Sequence, residues 1–171
     1  MQKFLKNVSI FLMLIVTLVG LSACSQHSYG NVEVSTKEFN RIKTEKRDIS
    51  ALITDLQRFK YDDKETYNHV VNDVNKLNNE LKPGLNNNQR NQLDKALGDN
   101  PTGIIGIVKN AIANKYNFDD EVASQFHANF RIILDLTAYP LGNSAEQRNK
   151  IETQIRKDIN LDSELYKIGS N

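Results

Sequence analysis

From residue 35 onward, apolar positions recur at helical spacing along most of the chain. Phe39, Ile42, Lys46, Ile49, Ile53 and Leu56 step by three and four, the spacing of a coiled-coil seam with one lysine set into it. Ser35 and Glu38 form an S-x-x-E capping box, so the pattern predicts a helix over residues 35–60, about 39 Å long at 1.5 Å per residue. A second amphipathic run carries Tyr67, Val70, Val71, Val74, Leu77 and Leu81 on one face. Asp62 and Glu65 stand where they can cap it, and Pro83-Gly84 ends it. The two runs read as a helical hairpin. One continuous rod is the alternative, because no Gly or Pro lies between Lys60 and Lys82 to force a turn.

Residues 85–92 are rich in Asn and Gln and read as a polar loop. Leu93, Ala96 and Leu97 then mark a short helix that stops at Gly98. Asn100 reads as the cap and Pro101 as the first position of the next helix, with Ile104, Ile105, Val108, Ala111, Ile112 and Tyr116 as its stripe. Another helix begins near Asp119, carries Val122, Phe126, Phe130, Ile133 and Leu134, and ends at Tyr139-Pro140. The last has Ser144 and Gln147 as a capping box and Ile151, Ile155 and Ile159 as a narrow stripe, and residues 161–168 add a short docking turn. No convincing apolar/polar alternation argues for a sheet. The expected fold is all-α: a helical bundle with a long N-terminal coiled-coil-like helical hairpin, in one domain spanning residues 35–171.

The segment before this domain has a different character. Lys3 and Lys6 precede an apolar stretch over residues 8–19, followed by Gly20-Leu21-Ser22-Ala23-Cys24, the order of a secretory signal peptide. Its end resembles the lipobox of bacterial lipoproteins, in which Leu, a small residue, Ala or Gly, and Cys occupy four successive positions. Leu21, Ser22, Ala23 and Cys24 match all four. The resemblance implies that a diacylglyceryl group is attached to the Cys24 thiol, that signal peptidase cuts between Ala23 and Cys24, and that the new terminal amine can carry a further acyl chain such as palmitate. Residues 1–23 would then be a cleaved signal peptide, and residues 24–34 the lipidated cysteine with a flexible polar tether reaching at most about 33–36 Å. The product would be lipid-anchored at the extracytoplasmic face of the cell membrane, close to its surface.

Composition narrows the remaining choices. The 171 residues carry 22 Lys+Arg against 21 Asp+Glu, and no basic field argues for nucleic acid. The single cysteine excludes a disulfide framework and a multi-cysteine zinc site. His27, His69 and His127 form no short ligand pair, so neither metal nor cofactor is expected. The loop over residues 98–106 has the glycines of a phosphate cradle without its Lys-Ser/Thr ending, and Pro101 removes one of the donors such a loop needs. Asp62-Asp63 and Asp119-Asp120-Glu121 sit where acidic side chains complement helix N-termini. No catalytic residue set emerges. Lys46, the polar interruption of the first seam, either snorkels to water or marks a candidate partner surface for an acidic protein or a second copy.

A lipobox followed by charged, coiled-coil-like helices resembles the helical cell-wall-binding lipoproteins of Gram-positive bacteria, a likeness of architecture. It implies a non-enzymatic binding or interaction module whose partners are the membrane, through Cys24, and an envelope protein or cell-wall polymer. Alternatives are an exclusion or immunity lipoprotein of a mobile element and an envelope hydrolase.

Overall fold

The computed structural model describes residues 26–169, so Leu21, Ser22, Ala23 and Cys24, on which the cleavage and lipidation expectations rest, lie outside the described residues. The chain opens with an antiparallel two-stranded hairpin, β1 (Gln26–Tyr29) and β2 (Val32–Ser35), in which Gln26 pairs with Ser35 and Tyr29 with Val32. Gly30 and Asn31 both take positive φ, the requirement of the tight turn whose twist matches that of its strands. Tyr29, Val32 and Val34 are buried on the helices behind. The expectation of a flexible tether is therefore corrected over residues 26–34: β2 alternates Val32 and Val34 inward with Glu33 and Ser35 outward, and apolar burial holds the hairpin in place, while Cys24 and Ser25 lie outside the described residues.

Seven α-helices follow among the described residues. Helix α1 (Thr36–Arg58) starts at the expected capping box, Ser35 accepting from the Glu38 amide and Glu38 from the Ser35 amide. Helix α2 (Lys64–Leu81) is capped by Asp63. The chain turns between them at residues 59–63, so residues 35–82 form a hairpin and not a rod. With no Gly or Pro to impose it, the turn is held by tertiary contact: Phe59 stacks on Phe118 at 4.6 Å, and the Tyr61 amide donates to Asn117 Oδ1 at 3.3 Å.

A 3-10 turn, Lys82–Gly84, leads to α3 (Asn87–Leu97). The Asn-rich stretch expected to be a loop is the start of this helix, because Asn86 and Gln89 cap one another's backbone amides. Helix α4 spans Ile104–Asn114, three residues later than the Asn100-Pro101 expectation. The Asn100 side chain instead shapes a turn, accepting from the Thr102 and Gly103 amides and donating to the Lys95 carbonyl at 2.7 Å. Helices α5 (Asp120–Ala138), capped by Asp119, α6 (Ala145–Asp158), capped by Ser144, and α7 (Leu161–Tyr166) complete the chain.

One core joins these elements. Ile42, Ile49, Ile53 and Leu56 of α1 meet Val70, Leu77 and Leu81 of α2, while Phe126, Phe130, Ile133 and Leu134 of α5 pack among Leu93, Val108, Ile151 and Leu165. The fold is all-α apart from the small β-hairpin: a helical bundle with a long N-terminal helical hairpin.

The turn between α3 and α4 is packed backbone against backbone. A Cβ on Gly106 would lie 1.8 Å from the Asn100 carbonyl oxygen, far inside contact distance. Gly106→Ala is expected to cost about 1–3 kcal/mol through this clash, visible as a lower urea midpoint. An unchanged midpoint would show that the turn yields freely.

Candidate functional site

The structure places Lys46 in a partly exposed intramolecular cluster. Its ammonium pairs with Asp158 of α6 and lies 5.2 Å from the centre of the Tyr29 ring, while the Tyr29 hydroxyl donates to Asp158 at 2.8 Å. The Asp158 carboxyl is raised by burial, but hydrogen bonds from Lys46, Tyr29 and Gln154 outweigh this and hold it below its ordinary value. Burial first, then the bond to Asp158, pushes the Tyr29 phenol up. The Lys46 ammonium is thus engaged within the chain. The lysine ties the β-hairpin to α1 and α6, and its partner lies too far along the chain for any local pattern to reveal it.

His27 stacks on Phe39 at 4.4 Å and meets Thr36 Oγ1 at 3.2 Å, an assignment to structure. His127 lines a shallow cleft with Arg131, Glu152 and Arg156, and Arg156 is held by Asp162 in a two-pronged pair. His69 is the most suggestive of the three. It stands between Asp55 and Glu65, each at 3.8 Å, beside a recess of about 140 Å³. Those separations exceed hydrogen-bond reach. The nearby Thr66 hydroxyl donates to backbone carbonyls, and the recess is smaller than ordinary ligand pockets of about 300–1,000 Å³. Among the described residues, no group of three His, Cys, Asp or Glu is placed to hold a metal ion.

Two clefts suit binding better. A cleft of about 600 Å³ sits where the α1–α2 hairpin turns, walled by Phe59, Phe118, Arg58, Asp63 and Asn117. On the outer side of α2, two depressions of about 410 and 320 Å³ share Tyr67 and Lys109 and so run together. Apolar side chains, Tyr61, Val71 and Val74 on one side and Ile105 and Ile112 of α4 on the other, alternate in their walls with charged and polar ones such as Asp62, Lys64, Asn78, Asp94 and Lys109. The glycine loop is closed to anions, since Gly103 and Gly106 abut backbone carbonyls.

The feature that sequence reading missed is a polar seam inside the α1–α2 hairpin. Glu45 is 1% exposed and Asp48 2%. Arg41 Nε donates to Glu45 at 2.6 Å, and Arg47 and Lys76 donate to Asp48 at 2.9 and 2.7 Å. Burial pushes the Glu45 carboxyl up to about 7 against the pull of Arg41. Asp48 is also raised by burial, but bonds from Arg47, Glu80 and Lys76 hold it well below its ordinary value. Glu45 sits directly before the seam position of Lys46, a signal hidden by reading the polar neighbours of an apolar stripe as solvated.

Among the described residues, no helix is long and apolar enough to cross a membrane. Comparison with known proteins gives no relative: no family model, curated protein or solved structure matches the chain.

Proposed function

We propose that this protein is an envelope lipoprotein, anchored at the extracytoplasmic face of the cell membrane through a diacylated Cys24, that acts as a non-enzymatic binding module for another envelope component, a protein or a cell-wall polymer. The observation that carries the reading is the tetrad Leu21-Ser22-Ala23-Cys24 behind a charged and apolar leader, with the chain's only cysteine at the position that the lipobox requires. Two acyl chains suffice for stable attachment, at about 0.8 kcal/mol per buried methylene.

The start of β1 at Gln26 supports a close placement, because only Ser25 separates Cys24 from the folded domain. Two residue steps span at most about 7 Å, so the partner is one that reaches the membrane surface. Binding is favoured over catalysis by the apolar side chains in the groove along α2 and by the loose geometry around His69.

Cells producing the protein and its Cys24→Ser variant, grown with labelled palmitate and then fractionated, test the anchor. The unsubstituted protein is expected to carry label and sediment with membranes, while the variant carries none. Absence of label from the unsubstituted protein, or equal label on both, would contradict the reading.

A further inference from the structure

Beyond Glu45, the α1–α2 seam contains a regular arrangement of acids. Asp48 on α1 faces Glu80 on α2, and Asp55 faces Asp73, each couple in side-chain hydrogen-bond contact. On both helices the two acids are seven residues apart, so the couples occupy the same heptad position of an antiparallel helix pair, two turns from one another. Asp48 Oδ2, Glu80 Oε2 and Asp73 Oδ2 are buried and have no hydrogen-bond partner unless one carboxyl of each couple is protonated. Two carboxylates in contact repel, and a contact between carboxyl oxygens becomes a bond only when one of them carries a proton.

We propose that the α1–α2 interface is a proton-operated clamp, fastened while the Asp48–Glu80 and Asp55–Asp73 couples each share one proton and loosened when those protons leave.

The surroundings say which member of each couple holds the proton. Asp48 faces Arg47 and Lys76 and stays ionised. Burial and the bond to Asp48 then raise the Glu80 carboxyl. In the second couple, burial followed by the charge of Asp55 pushes Asp73 up to about 6. The charged groups that face the two couples belong to the hairpin and its turn: Arg41, Glu45, Arg47 and Arg58 on α1, Asp63 in the turn, and Glu65, His69 and Lys76 on α2, where His69 lies 3.8 Å from Asp55.

Each raised acid binds its proton more tightly in the closed hairpin than in an opened one, so the clamp is fastened at low pH and released as pH climbs through about 6 for Asp73. The consequence reaches the surface, because α2 is also a wall of the outer groove through Tyr67, Val71 and Val74.

Hydrogen exchange of the α2 amides in the full chain, corrected for the intrinsic pH dependence of exchange, tests the clamp. Asp73→Asn/Glu80→Gln supplies permanent donors in place of the protons. Between pH 4.5 and 8, the unsubstituted chain is expected to lose at least about tenfold more protection than this double variant, given a tenfold change in the equilibrium for each pKa unit. Equal losses would overturn the proposal. Carbon NMR titration of the Asp73 and Glu80 carboxyls in the unsubstituted chain gives a second test that needs no variant. Both are expected to titrate above their ordinary values, and titration of both near 4 would overturn it equally.

Discussion

Phe126→Ala is expected to lower stability by about 3–5 kcal/mol, the range for removing a large aromatic side chain from a closed core. Phe126 is 0% exposed on α5. It meets the edge of Phe118 at 5.0 Å, and Phe118 in turn stacks on Phe59. These three rings connect the centre of the bundle to the place where α1 ends and the chain reverses. Loss of the Phe126 ring leaves a cavity and removes an aromatic contact worth about 0.5–1.5 kcal/mol beyond its burial. Because no Gly or Pro forces the reversal at residues 59–63, the substitution is also expected to free that turn. Urea unfolding measures the first effect and amide exchange at Tyr61 and Asp63 the second. A loss below about 1 kcal/mol would mean that the three rings do not hold the turn.

The second large effect is an inverted pH dependence. Glu45 is raised from its ordinary 4.5 to about 7 by burial, with Arg41 opposing. In the unfolded chain it ionises near its ordinary value, so between those two pH values the folded state binds the extra proton. Stability from this group is complete below about 4.5 and is lost as pH rises through about 7. At about 1.4 kcal/mol per pKa unit the loss is on the order of 3 kcal/mol. Asp158 and Asp162 act the other way, because their folded values are depressed. Their contribution is lost only on acidification through the carboxylate range. The opposing slopes place maximum stability near about pH 5. Urea unfolding at pH 5, 6.5 and 8 is expected to show a declining free energy, and Glu45→Gln to flatten that decline. A free energy that rises from pH 5 to 8 would contradict the burial of an ionisable Glu45.

Much of this fold is legible in the chain because caps and stripes are local. Ser35 with Glu38, Asp119 and Ser144 each mark a helix start through a side chain that meets an amide two or three residues away. Features that depend on distant partners are not legible in the same way. Nothing near Lys46 announces Asp158, and nothing near Phe59 announces Phe118. Two local signals were available and were outweighed. Gly30-Asn31 between Tyr29 and Val32 is a hairpin turn pair, but a short polar stretch behind a signal segment reads first as tether. Asn86 and Gln89 are a capping pair within a run of identical residues, where composition masks position. The carboxyl couples were hidden for another reason. Asp48, Asp55, Asp73 and Glu80 read singly as solvated helix charges, and only the antiparallel register of α1 on α2 brings them into opposition.

The resemblance to a lipobox is read from Leu21, Ser22, Ala23 and Cys24 alone, and the proposed anchoring depends on it. Intact-mass and peptide analysis of the protein purified from its native cells tests this most directly. The account predicts a chain beginning at Cys24, heavier than its residues by a diacylglyceryl group, with the leader gone. A native product that retains residues 1–23 and an unmodified Cys24 thiol would contradict it.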